Sequence, residues 1–278
     1  MTSTSPILRE AVLYNGVRMP RVDLGTWCLR GVEGEAVVIS AISAGYRSVD
    51  TASQYDNEEA VGRAIHRSRV AREEMFVTTK LWNTEHAYNR ALRAFDASLS
   101  GLGLQYIDLY LVHWPVFRQD RYVEAWRALE KLYTDDRVRA IGVSNFTVQA
   151  LGRLIDETGV VPAVNQIELH PGFPQSDLRA FHDEHGIATE AWKLLGRGEE
   201  LLKNPRLRAV AEKHGRTPAQ IVIRWHIQLG NLVIPKSATQ SRIAENAAVF
   251  DFTLEDSDMS ETGLLNSGER LDEDPETV

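Results

Sequence analysis

Short β-branched runs alternate with longer amphipathic stretches along most of this chain, and that rhythm restricts its fold more than any other feature. The runs are RVDLGTW (21–27, the weakest), YRSVD (46–50), MFVTTK (75–80), IDLYLVH (107–113), VRAIGVS (138–144), AVNQIEL (163–169), IATEAW (187–192) and LVIP (232–235). Helical patterns lie between them. EGEAVVISAISAG (33–45) and NRALRAFDASLSGLG (89–103) both stop in glycine, and TPAQIVIRWHIQLG (217–230) opens with Thr217 as a cap and Pro218 at the first helical position. Strand, helix, strand at this spacing reads as right-handed βαβ units, and eight such units favour a closed barrel over an open sheet. The expected fold is therefore α/β, a (β/α)8 TIM barrel, with residues 1–278 as a single domain. Asn15-Gly16 in LYNGVRMP (13–20) favours a tight hairpin turn, placing a hairpin over about 11–20 that covers the barrel's bottom. The acidic stretch GERLDEDPETV (268–278) reads as an irregular tail, free to fold over the site.

Charge and cysteine usage narrow the function classes. A net charge of −8 argues against nucleic acid or an anionic membrane as partner, since both demand a basic surface. No apolar stretch approaches the length of a membrane span. Cys28 is the one cysteine, so an intrachain disulfide and a cysteine zinc cluster are both excluded. A buried, inert thiol is the expectation for it. The N-terminal MTSTSPILRE lacks a basic-then-apolar leader, which points to a reducing, cytoplasmic location.

Four chemically matched residues crown or follow different strand runs. Asp50 ends YRSVD and Tyr55 follows it; Lys80 ends MFVTTK; His113 ends IDLYLVH. In a parallel barrel the strand C-termini converge on one face, where active sites form. A phenol titrates near ~10 and donates protons poorly at neutral pH, but a neighbouring ammonium lowers that value. Lys80 supplies the ammonium, Asp50 holds it protonated, and His113 orients or hydrogen-bonds a substrate oxygen. That set suits protonation of a carbonyl oxygen while hydride arrives at carbon. His182 and His185 in HDEH share a helical face at i and i+3, but no third ligand stands out. A surface helix with no metal is expected there, and a structural role for His170.

Several blocks resemble the aldo-keto reductases. GYRSVDTASQYDNEEAVG (45–62), VRAIGVSNF (138–146) and IPKSATQSR (234–242) look like three family signatures in the correct order, and HWP (113–115) and NQIELHP (165–171) match further blocks. The resemblance runs from about residue 11 to residue 252, and the short connection VFRQDRYVEAW (116–126) makes it most like the bacterial 2,5-diketo-D-gluconate reductase type. It implies Tyr55 as general acid, tuned by Lys80 and Asp50, with His113 positioning the carbonyl. It implies NADPH/NADP+ as cofactor, bound without a Rossmann domain; the chain has no GxGxxG. Ser144, Asn145 and Gln166 match residues that grip the carboxamide, and Trp192 the aromatic that stacks on the nicotinamide. Lys236, Ser237 and Arg242 match the pocket for the adenosine 2′-phosphate, where fixed cations and a hydroxyl suit a dianion. Glu245 and Asn246 match adenine-side contacts. Trp27, Trp82 and Trp114 are expected to wall a cleft for a small-molecule carbonyl substrate. A monomer is the family default. A nucleotide-binding sensor on the same fold, and alcohol oxidation in the reverse direction, are the competing readings.

The chain also departs from the family pattern. Trp192-Lys193-Leu194-Leu195-Gly196 stands where aromatic-Ser-Pro-Leu-Gly is usual, placing Lys193 and Leu195 along the path of the cofactor's pyrophosphate. Asp56 replaces a frequent glycine, Ala238 a common valine, and LDEDPETV lacks the expected Gly-Pro.

Overall fold

The structure, a computed structural model, describes residues 9–196 and 198–278. The leader reading of the first residues falls largely outside them. A hairpin of β1 (Glu10–Val12) and β2 (Arg18–Pro20) precedes eight parallel strands. These are β3 (Leu24–Gly25), β4 (Ser48–Asp50), β5 (Phe76–Leu81), β6 (Ile107–Val112), β7 (Val138–Ser144), β8 (Val164–Glu168), β9 (Ala188–Trp192) and β10 (Leu232–Val233), hydrogen-bonded in that order. Val22 bridges to Val233 in parallel, and Asp23 N donates to Val233 O at 2.8 Å, so the first strand meets the last and the barrel closes.

Helices follow most of the strands: α1 (Gly31–Ser43), α2 (Glu58–Ser68), α3 (Tyr88–Leu102), α4 (Tyr122–Thr134), α5 (Val148–Thr158) and α6 (Ser176–His185). After β9 come α7 (Glu199–Leu202), α8 (Pro205–His214) and α9 (Pro218–Gln228), and after β10 come α10 (Gln240–Ala247) and α11 (Asp256–Gly263). The caps are where sequence places them. Thr217 and Gln220 form a reciprocal capping box at the start of α9, and Gly103 closes α3 in the left-handed region at φ +63°.

The barrel interior changes character along its axis. Side chains two apart share a face of a strand, and the inward series read Phe76-Thr78-Lys80, Leu109-Leu111-His113, Val164-Gln166-Glu168 and Ala188-Glu190-Trp192. The apolar ends form one cluster at the bottom. Phe76, Leu109, Leu111, Ala140, Val164 and Leu232 pack there against Leu13 and Met19 of the hairpin, which plugs the barrel as expected. Gly142 is required in this crowding: a Cβ there would lie 2.6 Å from Val164 O and 2.8 Å from Leu111 Cδ2. The polar ends gather at the top, where the site forms. The larger core cluster, including Trp126, Phe95, Leu129 and Ile221, cements helices to the barrel's outside.

Candidate active site

Asp50 is the last residue of β4, Lys80 lies near the end of β5, and His113 follows β6. Tyr55 sits in a single 3-10 turn, Ser53–Tyr55, half-buried at the mouth. Asn57 holds that turn to its neighbours: its Nδ2 donates to Thr26 O and Leu29 O, both at 2.9 Å, and its Oδ1 accepts from Thr51 Oγ1 at 2.6 Å. Ser53 Oγ donates to Lys80 O at 3.0 Å, fastening the turn to β5. Asp56, the residue in place of glycine, has φ 55°, in the region that favours glycine or a short polar side chain.

Lys80 is the hub. Its Nζ donates to Asp50 Oδ1 at 2.6 Å, to Thr51 O at 2.9 Å and to the Tyr55 hydroxyl at 3.4 Å. Burial pushes this ammonium down, but Asp50 and then Tyr55 outweigh it, and Lys80 ends above the usual lysine range. The phenol behaves differently from expectation. Burial raises Tyr55, Lys80 pulls it back, and Asp50 pushes it up again, so the net shift is upward. The ammonium's charge is largely spent on Asp50, and the resting phenol keeps its proton. Burial, with Lys80 and His86 beside it, holds His113 well below the usual imidazole value, so it is neutral at pH 7. Its ring meets Tyr55 edge-on at 5.9 Å and Trp82 at 5.2 Å.

The expected carboxamide group is also assembled. Ser144 and Asn145 at the end of β7 face Gln166 on β8: Ser144 Oγ donates to Gln166 O at 2.9 Å, and Asn145 Nδ2 donates to Ser144 Oγ at 3.1 Å and to His113 O at 3.0 Å. Trp192 Nε1 donates to Asn145 Oδ1 at 3.0 Å, which fixes the indole at the mouth. Lys193 lies 6.0 Å over the Trp192 ring, while Leu195 is partly buried against the core. Lys236 and Arg242 are exposed near the start of α10, with no ion pair among the described residues, and α10 has no side-chain N-cap. Ser237 is buried between them. Glu245 is engaged within the fold, accepting from Thr217 Oγ1 at 2.6 Å, and Asn246 is buried. Of the tryptophans, Trp82 and Trp114 are half-buried beside the tetrad, while Trp27 is 63% exposed.

Two expectations are corrected. Cys28 is exposed, at φ 64° on the loop after β3, so it is no buried thiol; the strand ends too early to carry it inward. His182 is not on a surface: it is fully buried, hydrogen-bonded to Asn165 at 2.9 Å and Thr189 at 2.8 Å, while His185 stacks on Phe181 at 4.0 Å. No group of three metal-ligating side chains occurs among the described residues. His170 is structural as expected, bonded to Glu168 at 3.2 Å.

Sequence reasoning missed the buried acids behind the tetrad. Glu190 lies on β9 and Asp23 just ahead of β3, both fully buried. For Glu190 the signal was present: alternation in IATEAW puts it on the same face as Trp192.

With this geometry, the comparisons agree. Residues 22–265 match the aldo/keto reductase family model, and the chain belongs to that family. An aldo-keto reductase of Mycolicibacterium smegmatis is 52% identical over 265 residues, covering 95% of this chain and 96% of that one. Methylglyoxal reductase DkgA of Salmonella typhimurium is 49% identical, with the same coverage of 95% and 96%. A crystal structure of a Gox0644 mutant in complex with NADPH superposes with a TM-score of 0.93 at 47% identity, covering 97% and 98%. The chain is thus an oxidoreductase of the aldo-keto reductase class. No described helix is long and apolar enough to cross a membrane.

Proposed function

We propose that this protein reduces an aldehyde or ketone to the alcohol with NADPH, and that Tyr55 donates the proton. The observation that carries this is the Lys80 ammonium, bonded to Asp50 at 2.6 Å and to the Tyr55 hydroxyl at 3.4 Å, at the C-terminal mouth of the barrel. The residues present fit the cofactor. Lys236 and Arg242 are free cations beside an uncapped helix start, which suits a phosphate dianion. Ser144, Asn145 and Gln166 present a ring of amide and hydroxyl groups suited to a carboxamide, with Trp192 alongside to stack on a flat ring. Bound there, the reduced nicotinamide supplies a hydride to the carbonyl carbon.

The protein's own part is proton delivery and positioning. The neutral His113 donates an N–H to the substrate oxygen and orients it towards Tyr55. Tyr55 gives its proton as negative charge builds on that oxygen, and Lys80 stabilises the phenolate left behind. Trp82 and Trp114 flank this point and exclude water, with Trp27 at the outer rim. The NADPH complex of the Gox0644 mutant and the name methylglyoxal reductase support a small carbonyl substrate and the phosphorylated cofactor. On this reading the whole chain works as one domain, as a monomer in the cytoplasm.

Tyr55→Phe tests the assignment. Turnover should fall by about 10²–10⁴-fold, the usual worth of a positioned general acid, while NADPH titration by fluorescence stays unchanged. Wild-type rates in that variant would show that another group delivers the proton.

A further inference from the structure

Both amide hydrogens of Gln166 are committed to carboxyl groups. Nε2 donates to Asp50 Oδ2 at 2.9 Å and to Glu190 Oε2 at 2.9 Å. A primary amide has two N–H donors and one oxygen, so only the Gln166 oxygen remains to meet a ligand. The neighbours are saturated in the same way. Asn145 spends its two hydrogens on His113 O and Ser144 Oγ, and its oxygen on the Trp192 indole. The Ser144 hydroxyl is donated to Gln166 O. In this group Gln166 Oε1 is the acceptor without a partner among the described residues.

Asp50 belongs to the proton-transfer set, but Glu190 does not. It stands on β9 directly opposite Gln166 in the strand register, fully buried, and its second oxygen has no hydrogen-bond partner. A buried carboxyl left half-satisfied costs stability that an apolar side chain of the same size would avoid. An apolar residue, however, would leave one Gln166 hydrogen without an acceptor and the amide free to turn over.

We propose that Glu190 is a positioning residue for the cofactor: with Asp50 it holds Gln166 in the one orientation that presents the amide oxygen to the carboxamide N–H of the nicotinamide. This rests on the reading of Gln166 as a carboxamide ligand given above. The charged groups facing Glu190 are Asp50 from β4, Lys80 from β5 and Asp23 from ahead of β3, with Gln166 the neutral neighbour on β8. Burial first, then Asp50, push the Glu190 carboxyl up to about 8, with Gln166 and Lys80 offsetting only part. It is therefore protonated at pH 7 and accepts from Gln166 through its carbonyl oxygen. Above that value it becomes an anion one amide away from the nicotinamide. An anion there favours the cationic oxidised ring over the neutral reduced one.

Two variants separate this role from packing. Glu190→Gln keeps the shape and stays neutral at every pH; Glu190→Leu removes the acceptor. NADPH and NADP+ binding would be measured by fluorescence titration, beside adenosine 2′,5′-bisphosphate, which carries the 2′-phosphate but no nicotinamide. Glu190→Leu should bind NADPH about tenfold more weakly, the worth of one buried polar contact, and bind the bisphosphate as wild type does. Glu190→Gln should match wild type at pH 7. In the wild type, the NADP+ to NADPH affinity ratio should rise as pH passes about 8; in Glu190→Gln that rise should be absent. Unchanged NADPH affinity in Glu190→Leu, or equal loss of NADPH and bisphosphate, overturns the proposal. A rise surviving in Glu190→Gln overturns its electrostatic half. Failure of the wild type itself to bind NADPH would instead remove the nicotinamide reading on which it rests.

Discussion

Lys193 Nζ donates to Asp272 Oδ2 at 2.5 Å, joining the two places where this chain departs most from its family's sequence pattern. The tail reaches Lys193 because Glu168, at the end of β8, accepts from Leu271 N at 2.6 Å and Asp272 N at 3.0 Å. Burial pushes Glu168 up, but His170 and those two N–H groups outweigh it and keep it ionised. A cation placed beside the Trp192 ring is thus already occupied by a carboxylate from the tail.

If Lys193 meets the cofactor's pyrophosphate, Asp272 competes with it. Asp272→Asn should then tighten NADPH, and Lys193→Ala should weaken it. Both side chains are partly exposed, 30% and 40%, so each effect should stay within about fivefold, the worth of an exposed ion pair. Equilibrium titration of the two variants checks this. Weakening in both would mean that the pair clasps the tail over the cofactor rather than competing with it.

Asp50→Asn removes the counter-ion of a fully buried ammonium. Breaking a buried pair from one side typically costs about 3–5 kcal/mol, because the remaining charge is stranded. With burial unopposed, Lys80 should drop in pKa and lose its proton near neutrality, depriving Tyr55 of its partner. The expected outcome is a lower midpoint of thermal unfolding together with a turnover loss of at least about a hundredfold. A variant as stable and as active as wild type would show that the pair carries neither role.

The barrel and its site were legible to different depths. Strand runs such as MFVTTK and VRAIGVS announced themselves because strands buried on both faces need unbroken β-branched stretches. RVDLGTW was weak for a physical reason: it pairs regularly only over Leu24–Gly25, then releases Trp27 and Cys28 to an exposed loop. Tyr55, Lys80, Asp50 and His113 could be assigned to one mouth because strand ends locate them. The sign of the Tyr55 shift could not, since it depends on how far Asp50 neutralises Lys80 and how deeply the phenol is buried. Glu190 went unremarked because a lone acid in a strand reads as solvated until its neighbours across the register are known. The pairing of Lys193 with Asp272 spans most of a domain's third in sequence, and only the tail's capture by Glu168 brings it about.

Lys236 and Arg242 should decide the choice between NADPH and NADH. Both are exposed and unpaired among the described residues, so removing them should strand no buried charge and cost little stability. Replacing both with methionine should weaken NADPH by roughly tenfold or more, from two lost charge-assisted contacts, and leave NADH unchanged. Parallel titrations with the two cofactors give the answer. Equal weakening of both would move the 2′-phosphate pocket elsewhere.

Buried histidines should make the fold acid-sensitive in a way one substitution can isolate. His182 sits between Asn165 and Thr189, and burial first, then Arg179 and His185, push it down to about 3. In the unfolded chain it titrates near ~6.5. Between those values the unfolded state holds a proton that the folded state lacks. The stability owed to neutral His182 is thus complete above about pH 6.5 and lost as pH falls, at up to about 1.4 kcal/mol per pH unit. Glu190 and Asp23 work in the opposite direction, because both are raised and hold their protons in the folded state. The wild-type profile therefore mixes the two, and a difference measurement is needed. His182→Gln should lower stability at pH 7 by about 1–3 kcal/mol, through disturbed bonds to Asn165 and Thr189. Between pH 6 and pH 4 its unfolding free energy should then fall less steeply than that of wild type, by about one proton's worth. Urea unfolding of both proteins across that range measures the two slopes, and identical slopes would mean that His182 takes up its proton within the folded barrel.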